Sequence, residues 1–310
     1  MKSIYMAIWY RCNQTCKGCP CTQNVDKWKN MTFEDVKAVT EKALQNSDEP
    51  VGITVSGGEP TLHPEFMKIM KYFQSKDVYV TILTNAEKFH NIEFCNEFLS
   101  NISIFRTRIV TTIHSSHSEI HEQQNQSKGS FDKSISGLKY LFNKGIGITI
   151  KHCITSVNYQ DTLDFVKFVD NEFHPSVNIQ LFGLDYCGLT KEQAKELYCN
   201  YTIMQPAIEV ALDACIEMMG RNGRNTTIYN IPLCWTDPYY WSLFELTSNK
   251  HPYEFYFDPT SEISDFSDDS GKYSKECEKC YVNDICPGTY KSLFEYFGDG
   301  AVARIEDKNT

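Results

Sequence analysis

The sequence predicts an α/β protein in which a partial barrel of six β/α units precedes a small cysteine-bearing C-terminal subdomain. Two observations lead to this prediction. From residue 3 to about residue 185, short apolar runs rich in β-branched residues alternate with helical patterns, as expected for buried parallel strands joined by helices. After residue 220 the pattern changes to polar sequence that is interrupted by prolines and ends in a cysteine cluster. We therefore expect one domain over residues 1–220 and a second over residues 221–310.

Six apolar runs are predicted as strands, and five segments with apolar residues at helical spacing are predicted as helices. Six units are too few to close an eight-stranded barrel, so the sequence indicates an open (β/α)6 barrel with functional groups at the carboxyl ends of its strands. The predicted strands are Ile4–Tyr10, Val51–Val55, Val78–Leu83, Ile102–Ile113, Ile146–Ile154 and Val177–Phe182. The predicted helices are Thr32–Leu44, Pro64–Phe73, Phe131–Phe142, Thr162–Val169 and Thr190–Met219, the last with a break near Pro206.

Composition and charge exclude several classes of partner. The net charge of −10 argues against nucleic acid, because phosphate binding needs a basic surface. The apolar run at the N-terminus has only about eight residues, which is too short for a signal-peptide core or a membrane span. We therefore expect a cytoplasmic protein with no membrane partner. In that reducing compartment, clustered cysteines among the thirteen in the chain indicate metal ligands and not disulfides.

The first cysteine cluster comes directly after the first predicted strand. Cys12, Cys16 and Cys19 have the spacing CX3CX2C, which lets three thiolates surround one iron–sulfur cubane. One iron then has no protein ligand, as in an open catalytic metal site. The alternatives are a structural zinc knuckle, for which Cys21 supplies a fourth thiol, and reduced cysteines of the core.

The second motif is a glycine pair after the second predicted strand. Gly57 and Gly58 precede Glu59 and Pro60 in the sequence GGEP. Glycines at such a turn let backbone groups approach a ligand closely. An ordinary strand-to-helix turn is the alternative for this motif alone. The occurrence of GGEP one β/α unit after CX3CX2C favours a cofactor site.

With these two motifs the sequence resembles the radical S-adenosylmethionine (SAM) superfamily, from Tyr5 to about Leu184 and again from Cys234 to Gly298. The resemblance implies that Cys12, Cys16 and Cys19 hold a [4Fe–4S] cluster, whose fourth iron is chelated by the amino and carboxylate groups of SAM. This sequence departs from the family pattern at Gly18, where members usually have a bulky residue that contacts adenine. The other residues that the resemblance implies for cofactor binding are Gly57, Gly58, Glu59, Thr84, Asn85, Thr112, His114 and Lys151, with Ser115 and Asn158 as further contacts.

A second cysteine cluster lies in the tail. Cys277, Cys280 and Cys286, with the upstream Cys234, supply four thiolates, which is enough for a closed zinc or iron–sulfur site. Spacing does not choose between these metals. The family resemblance favours iron, because similar tails, called twitch or SPASM domains, carry auxiliary clusters. A full SPASM tail needs more cysteines, so we expect one auxiliary [4Fe–4S] cluster.

Three weaker signals remain. His114, His117 and His121 have the spacing of a metal-binding comb, although a His114 that lies near SAM and two solvated histidines explain it better. Cys21, Cys153 and Cys187 lie near predicted strand ends, where one of them could give a hydrogen atom to a substrate radical; a buried inert thiol is the alternative for each. Aromatic residues are available to line a substrate pocket or pack the core: Phe182, Tyr186, Trp235 and Trp241.

The motifs lead to one functional hypothesis and two alternatives. The first is an anaerobic enzyme that reductively cleaves SAM to a 5′-deoxyadenosyl radical, which removes a hydrogen atom from a ribosomally made peptide in crosslinking, epimerisation or oxidation. The resemblance implies a one-electron donor such as flavodoxin or ferredoxin. The second is a radical SAM oxidoreductase or rearrangement enzyme that acts on a small metabolite. The third is a non-catalytic zinc- or cluster-binding protein.

Overall fold

The computed structural model describes residues 1–23, 28–246, 253–257, 259 and 270–306. Ten strands and eleven α-helices are assigned within these ranges. The strands are β1 (Lys2–Trp9), β2 (Val51–Gly57), β3 (Tyr79–Leu83), β4 (Thr107–Thr112), β5 (Gly147–Ile154), β6 (Asn178–Gly183), β7 (Thr226–Tyr229), β8 (Tyr253–Tyr256), β9 (Ser270–Gly271) and β10 (Thr289–Tyr290). The α-helices are α1 (Pro20–Gln23), α2 (Phe33–Gln45), α3 (Phe66–Ser75), α4 (Ile92–Ser100), α5 (Ser118–Asn125), α6 (Ser130–Asn143), α7 (Thr162–Glu172), α8 (Lys191–Leu197), α9 (Tyr201–Asn222), α10 (Lys275–Glu278) and α11 (Lys291–Phe297).

The main sheet has eight strands in the order β7-β6-β5-β4-β3-β2-β1-β8. Neighbouring strands pair in parallel at β1–β2, β1–β8, β2–β3, β3–β4 and β6–β7. All six predicted strands occur, so the predicted α/β class is confirmed. The sequence did not predict β7 and β8, which lie in the polar region after residue 220 and add to the two ends of the strand order. Both are only four residues long, which is too short for a clear alternating pattern.

The predicted helices occur with two corrections. The helix predicted from Pro64 is α3, which begins at Phe66, because a short turn over Pro60–Leu62 and His63 precedes it. The long helical stretch breaks at Tyr198–Asn200 and not at Pro206, which lies inside α9. Asn200 causes this break, because its side chain accepts hydrogen bonds from the backbone N–H and hydroxyl of Thr202 at 2.9 and 2.7 Å and so starts a new helix.

The sequence also predicts a tail helix from Thr289 to Phe297; in the structure α11 begins at Lys291, because the two preceding residues form β10. The acidic run at residues 264–269, which the sequence predicts as a solvated loop, lies outside the described residues. No helix in the described part of the chain is both long and apolar enough to cross a membrane.

The chain forms two compact units. The first comprises residues 1–112, 122–149 and the described part of 251–266; the second comprises residues 113–121, 150–246 and 270–306. These units do not test the predicted division at residue 220, which stays a prediction. In the first unit, β1 is buried on both faces, and Ile4, Met6 and Ile8 are fully inaccessible. Phe66, Phe89, Phe94 and Phe98 form its aromatic cluster.

In the second unit, α7 and the region before β7 are joined by a buried arginine. Arg224 is fully inaccessible, and its guanidinium donates hydrogen bonds to the carbonyl oxygens of Val177 and Phe173 at 2.7 and 2.8 Å. Its Nε lies 3.4 Å from a carboxylate oxygen of Asp170. A buried charge needs such partners, since an unpaired one would lose its hydration without compensation.

Replacing Arg224 with methionine is expected to lower the free energy of unfolding by about 2–4 kcal/mol, because the hydrogen bonds and ion pair of a buried guanidinium are lost. Anaerobic urea denaturation followed by circular dichroism measures the change. Arg221→Met is the matched control. The side chain of Arg221 also pairs with Asp170 but is 56% exposed, so its removal should cost less than about 1 kcal/mol. Equal losses in the two variants would contradict the assignment.

Candidate functional site

The loop that carries the first three cysteines is anchored to the first unit. The backbone N–H groups of Thr15 and Lys17 donate to the carbonyl oxygens of Asn125 and Gln124 at 3.1 and 2.8 Å. The buried side chain of Gln14 donates from Nε2 to Oε1 of Glu87 at 2.7 Å. The loop is therefore held on both sides, and its sulfur atoms have a defined position.

The thiols of this loop lie among hydrogen-bond donors. Sγ of Cys12 accepts from the backbone N–H of Gln14 at 3.3 Å and from Nδ2 of Asn85 at 3.8 Å. Burial raises the pKa of Cys12 to about 11, and the nearby Glu59 and Cys19 add to this shift. A metal reverses that preference, because thiolates bind metals with release of their protons. N–H donors directed at sulfur also tune iron–sulfur clusters, so this donor set fits the predicted cluster.

The fourth thiol of the zinc alternative lies beside the loop. Cys21 contacts Cys19 through a side-chain hydrogen bond. Metal content after reconstitution distinguishes a zinc ion from a cluster at these thiols.

The glycine pair after β2 is required by the packing of the chain itself. The N–H of Gly58 donates to the carbonyl oxygen of Trp9 at 2.6 Å. A Cβ atom at Gly57 would lie 2.1 Å from that oxygen, and one at Gly58 would lie 2.5 Å from the carbonyl oxygen of Tyr10. Gly57 also has a φ of +131°, which residues with a side chain rarely adopt. The two glycines therefore let the chain that leads into the cysteine loop lie close beside the end of β2.

Glu59 joins the ends of β2 and β3. Its side chain is 1% exposed, and its two carboxylate oxygens accept four hydrogen bonds. Oε1 accepts from the N–H and hydroxyl of Thr61 at 3.0 and 2.6 Å and from the hydroxyl of Thr84 at 2.8 Å, while Oε2 accepts from the N–H of Asn85 at 2.7 Å. Burial raises the pKa of this carboxyl group. The sequence predicts a cofactor contact for Glu59, which stays a prediction; the structure shows that its carboxylate positions Thr84 and Asn85.

Asn85 connects the end of β3 to the cysteine loop. Its Nδ2 donates to Oδ1 of Asn13 at 2.8 Å, and its carbonyl oxygen accepts from the hydroxyl of Ser134 at 2.7 Å. The predicted site residues of the first unit thus form one hydrogen-bonded group around the loop, with Thr112 at the end of the next strand. Sequence reasoning missed Gln14 and Glu87. Gln14 lies inside the motif, but Glu87 lies 73 residues further along the chain, and no local pattern marks this contact.

The second unit holds the other two predicted cofactor residues. Burial, together with the nearby His121 and His152, lowers the pKa of His114 to about 3, so its imidazole is neutral at physiological pH. The backbone N–H of His114 donates to Nδ1 of His121 at 3.1 Å. Nζ of Lys151 lies 3.6 Å from the ring centre of Phe182. Their contacts with SAM stay predictions.

Asn158 organises the loop that contains His114. Its Nδ2 donates to the carbonyl oxygens of His114 and Cys153 at 2.8 and 2.9 Å, and its Oδ1 accepts from Thr155. The geometry therefore supports a positioning role for Asn158, while a direct contact with SAM stays a prediction.

The three histidines of the comb have separate environments. His121 is buried behind His114, whereas donor atoms of His117, Asp161 and Asp164 lie within 4.8 Å of one another. Asp161 accepts hydrogen bonds from the hydroxyl of Ser115 at 2.5 Å and from the N–H and hydroxyl of Ser116 at 2.9 and 2.8 Å. These bonds hold residues 115–117 against the start of α7, which gives Asp161 a structural role.

The four tail cysteines line one recess of about 360 Å³ in the second unit. Cys234 comes from a short turn after β7, Cys277 from α10, and Cys280 and Cys286 from the loop that follows. All the described residues that line this recess lie between positions 232 and 303. The other lining residues are Pro232, Gly271, Lys272, Val282, Asn283, Gly288, Thr289, Phe294, Val302 and Ala303.

Backbone donors point at three of these sulfurs. Sγ of Cys286 accepts from the N–H of Gly288 at 3.4 Å, and the backbone groups of Ala303 and Ser274 bond to the sulfurs of Cys234 and Cys277. Burial raises the pKa of Cys234 to about 12, and the other three thiols add to this shift. Four thiols that share one recess with N–H donors fit a fully ligated iron–sulfur cluster.

The roles of Cys21, Cys153 and Cys187 as hydrogen-atom donors stay predictions. Cys21 and Cys153 are half-buried, and Cys187 is exposed. Among the aromatic residues, Nε1 of Trp235 donates to the carbonyl oxygen of Ala301 at 3.0 Å, and Nε1 of Trp241 donates to that of Leu233 at 3.2 Å. These two indoles are thus bound within the fold. Phe182 stacks on Tyr229 with ring centres 4.8 Å apart, and Tyr186 packs edge-on against Phe297.

A parallel α/β sheet with three thiols directly after its first strand and a glycine pair after its second defines a class of iron–sulfur enzymes. The model of the radical SAM superfamily matches residues 6–169 of the 310, and the chain belongs to this superfamily. Members bind a [4Fe–4S] cluster and SAM, which confirms the predicted cofactors of the first site.

Two curated relatives have similar sequences. The antilisterial bacteriocin subtilosin biosynthesis protein AlbA of Bacillus subtilis is 25% identical over 164 residues, which are 52% of this chain and 35% of AlbA. The Fe-coproporphyrin III synthase of Methanosarcina barkeri is 24% identical over 187 residues, which are 60% of this chain and 45% of the synthase. The chain thus spans less than half the length of either relative.

Two solved structures share the fold. SuiB of Streptococcus suis bound to the precursor peptide SuiA has a TM-score of 0.61 and 13% identity, covering 99% of this chain and 75% of SuiB. The enzyme anSMEcpe with bound AdoMet and a Cp18Cys peptide has a TM-score of 0.64 and 14% identity, covering 97% of this chain and 92% of that one. At these identities the likeness concerns the fold alone.

Replacing Gly288 with alanine is expected to remove about four irons per chain, the content of one [4Fe–4S] cluster, while the first cluster remains. Gly288 has a φ of +74°, and an added Cβ would lie 2.0 Å from the carbonyl oxygen of Gly271, so β10 and the adjoining Cys286 must shift. Iron and sulfide are counted after anaerobic reconstitution. Gly300→Ala is the control, because no atom lies within 4 Å of its added Cβ. A full iron content in Gly288→Ala would contradict the geometry.

Proposed function

We propose that this protein is a radical SAM enzyme with one auxiliary cluster that modifies a peptide. The observation that carries the proposal is the cysteine loop, which is tied through Gln14 to Glu87 and through Asn13 to Asn85. When bound, the [4Fe–4S] cluster and SAM would supply a reductively formed 5′-deoxyadenosyl radical that removes a hydrogen atom from the substrate.

The chain's own residues would bind and orient these cofactors. Cys12, Cys16 and Cys19 would hold the cluster and leave one iron open to SAM. The N–H of Gln14 and the amide of Asn85 would stabilise the thiolate of Cys12. Glu59 would keep the polar strand ends in place. We propose SAM contacts from Gly57, Gly58, Glu59, Thr84, Asn85 and Thr112 in the first unit, and from His114 and Lys151 in the second.

We further propose that Cys234, Cys277, Cys280 and Cys286 hold the auxiliary [4Fe–4S] cluster. Four thiol ligands leave it no open iron, so electron transfer or structural support is its role. The location we propose is the cytoplasm, where a reducing environment keeps clustered cysteines available as metal ligands. A flavodoxin or ferredoxin is the proposed electron donor.

A peptide substrate is supported by two similar proteins. AlbA acts in subtilosin biosynthesis, and SuiB was solved with its precursor peptide. The reaction we propose on the peptide is crosslinking, epimerisation or oxidation. The alternative is a small metabolite, which the similarity to Fe-coproporphyrin III synthase favours.

Replacing Cys12, Cys16 and Cys19 together with alanine is expected to lower the iron content from about eight to about four per chain and to abolish 5′-deoxyadenosine formation. Iron counting and chromatography after reduction with dithionite in the presence of SAM measure both effects. Cys95→Ala is the control, because Cys95 is buried away from either cysteine group and donates to the carbonyl oxygen of Phe89. A colourless protein with stoichiometric zinc would overturn the enzyme proposal.

The substrate class is tested with an anaerobic extract of the host cells, separated into peptide and metabolite fractions by size. We expect the peptide fraction to increase 5′-deoxyadenosine formation above the uncoupled rate, and pretreatment of that fraction with protease to remove the increase. The heated protease alone serves as the control. Stimulation that resists protease would favour the metabolite over the peptide.

A further inference from the structure

The recess of the tail cysteines contains one charged side chain besides the thiols. Of the described residues that line it, Lys272 alone carries a formal positive charge, and the remaining non-cysteine residues are uncharged. Lys272 directly follows β9, so the pairing of β9 with β10 fixes the position of its backbone.

The ammonium group of Lys272 is held at the cysteine loop. Its Nζ donates to the carbonyl oxygen of Asn283, and the N–H of Asn283 in turn donates to the carbonyl oxygen of Cys280 at 3.1 Å. Lys272 and Cys277 line the same recess. The side chain of Lys272 is half-buried, whereas Lys275 and Lys279 in the same segment are exposed.

A fixed cation beside an iron–sulfur cluster changes its reduction potential. One-electron reduction adds a negative charge to a cluster that four thiolates already make anionic. A nearby positive charge therefore stabilises the reduced state more than the oxidised state and raises the potential. The effect is stronger for a half-buried charge than for an exposed one, because salt and water screen exposed charges.

We propose that the positive charge of Lys272 raises the reduction potential of the auxiliary cluster. This inference rests on the proposed assignment of the four cysteines to that cluster. The effect of Lys272 is electrostatic, and its side chain is not a ligand of the cluster. The hydrogen bond to Asn283 keeps the ammonium beside the thiolates.

The test uses the full-length chain in the background of the Cys12, Cys16 and Cys19 alanine variant, which leaves the auxiliary cluster alone. The potential is measured by redox titration monitored by electron paramagnetic resonance. Lys272→Met and Lys272→Gln should each reduce the ratio of reduced to oxidised cluster at a fixed potential by about tenfold, which is about 59 mV for one electron. Lys272→Arg should stay near the parent value.

Two controls make the outcome decisive. Lys275→Met and Lys279→Met remove exposed charges from the same segment and should leave the potential almost unchanged. An unchanged potential in both neutral Lys272 variants, a parent-like value in Lys272→Gln alone, or equal shifts in the control variants would overturn the proposal. If Lys272→Met binds no iron, the difference in reduction potential between Lys272→Gln and Lys272→Arg tests the proposal. A parent chain without auxiliary iron would instead refute the cluster assignment.

Discussion

The buried carboxylate of Glu59 joins the ends of β2 and β3 through four hydrogen bonds, and the arrangement of the first site depends on it. Its bond to Asn85 places an amide beside Cys12. The glycine pair just before Glu59 lets the chain leaving β1 lie close beside the end of β2 without a steric clash. These two constraints act at the same strand ends, so the position of the cysteine loop follows from the packing of the sheet.

The second cysteine site is built in a different way. Its thiols come from three separate segments of the tail, and β9 and β10 hold the last of them by a close backbone contact at Gly288. Backbone N–H groups supply the hydrogen bonds to sulfur. Lys272 enters the recess from β9 and brings the one positive charge among the lining residues described. Backbone N–H dipoles and the ammonium of Lys272 therefore both lie beside these thiols.

Several parts of the structure could be predicted because their signals are local. The thiols of Cys12, Cys16 and Cys19 are close in sequence, and the capping box of α2 at Thr32 and Asp35 spans four residues. The contact between Gln14 and Glu87 and the addition of β8 to β1 join distant segments. A short strand or a single polar pair leaves no periodic pattern, so sequence reasoning missed both.

By itself, the sequence determined the α/β class, six strands of the main sheet and the grouping of cysteines along the chain, because apolar periodicity and motif spacing are properties of neighbouring residues. Only the tertiary structure decided what Gly57, Gly58 and Glu59 do within the fold. The glycines are required by a close approach to the chain of Trp9 and Tyr10, and Glu59 is surrounded by donors from another strand. Such roles depend on which distant groups meet, and that is set by packing in three dimensions.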